Sequence, residues 1–327
     1  MLSLVSELAK LGMAAPSAAA VAHAASGFEE DGMRARLAQL RFGIDKEVLG
    51  RKEALDLVAE QPWFFSCAFG TAFENELVVA TDKPFDTHLC RDEAGPRWDG
   101  ELTLREWLKR EHPATLTEDG AEVRTCHNLD FATSGVIVAA KSREAANDVS
   151  RCFRDRLARK LYCALVFGHP TWETATWDAR IMPSQRRFKQ RISGGGKRAE
   201  TRATVGARGT LRMGEHAGRD ATLLWLEPRT GRRHQLRLHC SHAGHGIVGD
   251  LTYANDRLMY RMMLHAAALE LPLQLPPCEP HAPVRIEAPL EPGWAHCFEP
   301  AGGGATLDEA VRNPEGWPDA AARLLGA

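Results

Sequence analysis

The 327-residue chain is 44% hydrophobic and 26% charged, an ordinary globular balance with apolar material for a sizeable core, and no run approaches the roughly 20 apolar residues that span a bilayer, so no membrane partner is expected. Its eight cysteines are scattered without a Cys-x-x-Cys pair, which excludes a zinc ribbon and a disulfide scaffold and fits a reducing cytoplasmic or other intracellular compartment. A net charge of −2 does not mark a nucleic-acid binder, yet the average hides a basic stretch: Lys141 to Arg202 carries 15 Lys/Arg against 6 Asp/Glu, and such a patch steers polyanions.

Residues 1–26 are rich in Ala and Ser, with Glu7 and Lys10 the charged residues. They lack the basic start of a secretory signal and the arginines of a transit peptide, so a poorly ordered tail or loose helix is expected ahead of an organelle signal. Arg34, Arg36, Leu37, Leu40 and Ile44 set a helical rhythm, and Lys52 to Glu60 set another. Residues 1–70 thus form an N-terminal extension, partly helical. Glu76 to Ala80 is strand-like and ends at Asp82-Lys83-Pro84. Thr103 to Glu111 predicts a helix with Thr103 as N-cap. Val136 to Ala140 predicts a buried strand, Arg143 to Arg156 a basic amphipathic helix, and Leu161 to Phe167 a strand. Ser193 to Gly196 reads as a flexible hinge. Ala221–Leu226, Gln235–Leu238, Ile247–Val248 and His265–Leu271 are further strand material. Strands and helices mix without regular βαβ alternation, which predicts an α+β fold. Residues 272–327 are rich in Pro and Gly and end in a short Ala/Leu helix.

Two blocks carry the chemistry. In Cys126-His127-Asn128-Leu129-Asp130-Phe131-Ala132-Thr133-Ser134-Gly135, one carboxylate sits in a turn immediately before an apolar strand. Asp is common in turns, where it bonds nearby backbone; beside a buried strand, a charge needs a partner or a use. In Thr230-Gly231-Arg232-Arg233-His234-Gln235-Leu236-Arg237-Leu238-His239, a strand would place Arg233, Gln235 and Arg237 on one face. That face is either simply solvated or aims a guanidinium at a carboxylate or phosphate. Tyr162, in Lys160-Leu161-Tyr162, is either packed with its hydroxyl at the surface or stacks on a base or exchanges a proton in a basic cleft. His234, His239, His242 and His245 have no Cys or carboxylate pattern to complete a metal site, and Gly194-Gly195-Gly196-Lys197 does not match a phosphate loop. No metal is expected.

Together these residues resemble the RluA-type pseudouridine synthases, and among them the eukaryotic RNA pseudouridylate synthase domain-containing proteins. The family signature His-Arg-Leu-Asp-x-x-Thr-Ser-Gly is met by His127 to Gly135, its Lys-x-Tyr by Lys160 to Tyr162, and its Gly-Arg-x-His-Gln-Leu/Ile-Arg-x-His by Gly231 to His239. Gly244-His245-Gly246-Ile247-Val248-Gly249-Asp250-x-x-Tyr253 follows, with weaker echoes at Asp82-Lys83-Pro84, Gly196 to Thr201 and Leu264-His265-Ala266. The blocks keep the family order over roughly residues 74–290.

The resemblance implies a pseudouridine synthase fold: a mixed, largely antiparallel sheet with flanking helices and a central catalytic cleft. Residues 71–298 would be the catalytic domain and 299–327 a C-terminal tail. It implies an isomerase that turns uridine into pseudouridine, with Asp130 as catalytic carboxylate, Arg237 as its ion-pair partner and Tyr162 against the uracil. His127, Asn128, Thr133, Lys160, Arg232, His234 and Gln235 would bind substrate. Attack at C1′, removal of the 2′ proton and attack at C6 all remain open for Asp130. No metal or organic cofactor is required, the partner is RNA (tRNA, rRNA or mRNA), and a monomer is expected. Two residues depart from the pattern: Asn128 replaces an Arg that helps fill the space left by the flipped base, and Gly246 replaces a Pro, which should loosen that turn. Asn128 keeps a second reading open, a non-catalytic RNA-binding or RNA-folding protein derived from the family.

Overall fold

The computed structural model describes residues 3–45, 50–90, 102–118, 122–185, 188–276, 283–291 and 293–301. The expected C-terminal helix, the tail from residue 302, and Arg186 and Arg187 of the basic stretch lie outside them.

The N-terminal region folds as α1 (Leu4–Lys10), α2 (Ala15–Ala24), α3 (Glu30–Asp45) and α4 (Arg51–Glu60). The stretch expected as a loose tail is thus two short helices, the first capped by Ser3, which accepts the Ser6 N–H at 3.3 Å. The rhythm of α3 buries Leu37, Leu40 and Ile44, and also Arg36. Leu8, Val21, Leu40 and Val58 share one apolar cluster with Leu165, Leu224 and Met263 of the main body.

The body comprises β1 (Gly70–Glu74), β2 (Val78–Lys83), α5 (Leu104–Glu111), β3 (Ser134–Ala140), α6 (Arg143–Arg154), β4 (Arg159–Phe167), β5 (Thr174–Trp177), β6 (Ile181–Pro183), β7 (Gln190–Ile192), β8 (Thr201–Leu211), β9 (Asp220–Pro228), α7 (Gln235–His242), β10 (Leu264–Leu271), β11 (Val284–Glu287), α8 (Gly293–Cys297) and β12 (Phe298–Pro300). One sheet runs β1-β2-β3-β10-β4-β9-β8-β12, with β11 on β10 and β5 on β8, and β6–β7 form a separate hairpin. Its pairs are antiparallel apart from β3 with β10, where Ser134 and Gly135 face His265 and Ala266 in parallel. The fold is therefore α+β with a mostly antiparallel sheet. Every residue of β3 is buried, as a continuous apolar run requires when both faces are covered. Val136 and Val138 pack against Val149 and Cys152 of α6, while Ile137 and Ala139 pack against Leu104 and Leu108 of α5. Thr103 caps α5 in a capping box with Glu106.

Gln235–Leu238 is not a strand. It opens α7, and Gln235 through Cys240 are all buried, so the alternate-face reading of Arg233, Gln235 and Arg237 falls with it. A short apolar-cationic run does not distinguish the two periods; the preceding His234, in left-handed backbone at φ 57°, turns the chain into the helix. The Ser193–Gly196 turn is no loose hinge either. A Cβ on Gly196 would lie 2.7 Å from the Ile181 backbone, and the adjoining Lys197 exchanges backbone hydrogen bonds with Ile181 at 2.8 and 3.0 Å.

Candidate active site

Three segments converge on Asp130. The first is its own turn, closed by the Thr133 N–H donating to the Asp130 carbonyl at 3.1 Å. Gly135 holds the strand behind it: its φ is +106°, and a Cβ there would sit 2.3 Å from the Ala266 carbonyl oxygen, so β3 meets β10 backbone to backbone. The second segment is α7 with the preceding His234. The third is the Gly249–Tyr253 loop.

Arg237 joins them. Its Nε and Nη2 donate to the two Asp250 carboxylate oxygens at 2.8 and 2.7 Å, while Nη1 reaches Asp130 Oδ2 at 3.4 Å. The planar fork is thus matched to Asp250, which is 1% exposed. Asp130, with a side chain 25% exposed, takes the remaining nitrogen. Burial is the largest single influence and disfavours the Arg237 charge, but the hydrogen bonds and charge of Asp250, joined by the charge of Asp130, together outweigh it and raise its pKa. Asp250 also accepts the Thr252 and Tyr253 N–H groups at 2.8 and 3.1 Å. The sequence reading missed this primary partner, although the Gly249-Asp250-x-x-Tyr253 spacing carried the signal.

His234 Nε2 lies 3.9 Å from Asp130 Oδ1, and its Nδ1 is 2.8 Å from the Tyr253 hydroxyl. That hydroxyl accepts the Gln190 N–H at 2.8 Å, which leaves its proton for Nδ1 and ties the β6–β7 hairpin to the site. Burial lowers the His234 pKa, against the pull of Asp130. Tyr162 is brought close to Asp130 from β4: burial first, and then the Asp130 charge, push its phenol pKa up. Lys160, two residues earlier on the same strand face, is pushed down to about 8 by burial.

The other predicted residues are placed as follows. His127 Nε2 accepts the Val138 N–H at 3.0 Å, its ring stacks on Phe153, and burial lowers its pKa to about 3; it ties the Asp130 turn to β3. Gln235 accepts from the Thr230 hydroxyl and the Arg232 N–H at 2.7 and 3.0 Å and donates to Glu200 and Thr201 at 2.9 Å each, so its amide is engaged within the protein. Arg232 Nε donates to the Arg198 carbonyl at 3.0 Å. Thr133 is buried and Asn128 is exposed. The Gly246 turn is tight: a Cβ there would lie 2.9 Å from that of Ala254. Among the described residues, no group of three or more His, Cys, Asp or Glu side chains is placed to hold a metal ion.

A partly exposed carboxylate with a guanidinium at 3.4 Å, an imidazole at 3.9 Å and a phenol near enough to feel its charge has the groups for acid-base or nucleophilic work, and Arg191, Lys197, Arg198 and Arg233 are exposed on the surface. A family model described as RNA pseudouridylate synthase matches residues 82–242. RNA pseudouridylate synthase domain-containing protein 1 of Danio rerio is 38% identical over 210 residues, 61% of this chain and 70% of that protein. The dual-specificity RNA pseudouridine synthase RluA of Escherichia coli strain K12 is 35% identical over 161 residues, 48% of this chain and 70% of that protein. The solved structure of human RNA pseudouridylate synthase domain containing 1 aligns with a TM-score of 0.59 at 29% identity, covering 77% of this chain and 96% of that one. The chain belongs to the RNA pseudouridylate synthase family, a family of isomerases.

Proposed function

We propose that this protein isomerises uridine to pseudouridine in a structured RNA, tRNA or rRNA. The observation that carries the reading is Asp130, one-quarter exposed, with Arg237 at 3.4 Å and His234 at 3.9 Å. In the reaction the N1–C1′ bond breaks, the base turns, and C5 joins C1′; N1 gains a proton and C5 loses one. Asp130 acts at the sugar, as nucleophile on C1′ or as base toward the 2′ proton. Tyr162 presents a neutral ring to the uracil, since burial and the Asp130 charge both hold its phenol protonated. Extruding the target base costs a few kcal/mol, offset by phosphate contacts with Arg191, Lys197, Arg198 and Arg233.

Incubation with cellular RNA followed by chemical mapping of pseudouridine tests this. Wild type creates sites that Asp130→Ala does not. Equal modification by both proteins, or none by the wild type, refutes it. Exposed Asn128, at the position where the family signature has Arg, supports a second reading as a non-catalytic RNA-binding protein. RNA binding retained in Asp130→Ala, with no new pseudouridine from either form, would favour it.

A further inference from the structure

Helix α3 lies outside the matched segment 82–242, yet it sends Arg36 into the interior, where it is 1% exposed. A guanidinium is costly to bury unless its donors are met. Nη2 donates to the Phe85 carbonyl at 2.6 Å, and Nη1 to Gln39 Oε1 at 2.7 Å and the Asp86 carbonyl at 3.3 Å, while Nε is buried without a hydrogen-bond partner among the described residues. Its carbon lies 4.0 Å from the centre of the Phe85 ring. Gln39, one turn along α3, also donates to Asp86 Oδ2 at 3.5 Å. The cation from the N-terminal helices is therefore committed to the Pro84–Thr87 turn.

That turn is held in an unfavourable shape. Asp86 has φ +44°, left-handed backbone that a non-glycine residue keeps when its surroundings impose it. The turn in its turn grips the residue after Asp130. The Thr87 N–H donates to the Phe131 carbonyl at 3.1 Å. Lys83, fully buried, donates to the carbonyls of Pro84, Thr87 and Phe131 at 2.8, 3.0 and 3.1 Å, which uses all the protons of an ammonium group. The His88 ring lies against that of Phe131, centroids 4.4 Å apart.

We infer that Arg36 is a positioning residue for Asp130. By clamping the Pro84–Thr87 turn it fixes the Phe131 carbonyl, and with it the direction in which the catalytic carboxylate points. The N-terminal helices are thereby a working part of the active site. The inference rests on the proposed isomerisation for its kinetic consequence and on hydrogen bonding alone for its structural one.

Full-length Arg36→Met, Arg36→Lys and Gln39→Leu are compared with wild type by hydrogen exchange and by single-turnover isomerisation of an RNA that the wild type modifies. In Arg36→Met, amides of residues 84–88 and 130–133 exchange faster while those of β4 and β9 are unchanged. Its rate constant falls on the order of 10- to 100-fold, the usual effect of a misplaced catalytic group, with RNA affinity unchanged. Arg36→Lys recovers part of the rate. Should Arg36→Met fail to fold, Gln39→Leu shows the same pattern at smaller size, because it removes the acceptor that orients Arg36 without stranding a charge. Unchanged exchange at 130–133, or faster exchange there with a wild-type rate, overturns the inference. If the wild type modifies no RNA, the proposed activity fails, and the exchange data still decide whether Arg36 orders the Asp130 turn.

Discussion

Asp130 and Asp250 share one guanidinium, and their surroundings assign them different tasks. Asp250 is buried, forked by Arg237 and bonded to backbone N–H groups; Asp130 is partly open and holds one 3.4 Å contact. Removing one member of a buried pair leaves an uncompensated charge and costs about 3–5 kcal/mol. Asp250→Ala should therefore lower stability by about that amount in urea unfolding. Asp130→Ala, which leaves Arg237 paired with Asp250, should change it by less than about 1 kcal/mol while abolishing isomerisation. Equal stability losses in the two variants would falsify this division of labour. Arg237→Lys tests the same point from the other side: an ammonium cannot fork a carboxylate, so the rate should fall on the order of 10²-fold even though the charge is kept. The pairing of Asp130 with Arg237 was legible in the chain because a fixed order of polar residue types surrounds both. Which carboxylate holds the fork was not, since 107 residues separate Asp130 from Arg237 and 13 separate Arg237 from Asp250, and spacing ranks neither.

At the level of elements, legibility follows length and periodicity. The run Val136–Ala140 read correctly as a buried strand because it has no polar face, α5 read correctly with its Thr103 cap, and α6 read correctly from its basic amphipathic pattern. Helix α7 did not, because its eight residues are buried through much of their circumference and show no stripe. The β3–β10 crossing behind the site depends on one glycine. Gly135→Ala combines a +106° φ with a contact 2.3 Å from a carbonyl oxygen, so it should destabilise by at least about 2 kcal/mol, seen as a lower urea midpoint with unchanged slope. The loop from Arg191 to Arg198 makes the opposite kind of prediction. Lys197 and Arg198 are exposed, so Lys197→Glu with Arg198→Glu should weaken RNA binding and reduce its salt dependence while leaving stability within about 0.5 kcal/mol. Undiminished salt dependence would remove these residues from the RNA path.

Across the whole molecule, docking of the N-terminal helices was the least legible feature. Their short apolar faces look self-sufficient in sequence, and the Arg36 contacts cross 49 and 50 residues to a turn with no pattern of its own. Burial within the sheet region governs how stability responds to pH, and its terms differ in sign. His265 is 2% exposed. The Arg261 guanidinium donates to Ser134 Oγ at 2.6 Å, leaving the Ser134 proton for His265 Nδ1 at 2.8 Å, while Nε2–H donates to the Ala288 carbonyl at 3.0 Å. The imidazole is neutral, and burial lowers its pKa to about 3. Between the ordinary histidine value near 6.5 and about 3, the unfolded chain binds a proton that the folded protein refuses, so this contribution is complete above pH 6.5 and fades as pH falls. Asp82 works against it: burial raises its carboxyl to about 7, so the folded state binds a proton more tightly across 3.8 to 7 and gains stability on acidification. His127, also lowered to about 3, adds to the His265 effect while Asp82 opposes it, so the His265 share is read as a difference. His265→Gln should be less stable than wild type at pH 7.5, having lost part of the buried bonding to Ser134 and Ala288. The deficit should shrink steadily through pH 6, 5 and 4 in urea unfolding, because the wild type alone carries the proton-refusing ring. A deficit constant across that range would show that His265 titrates no differently in the folded protein than in the unfolded chain.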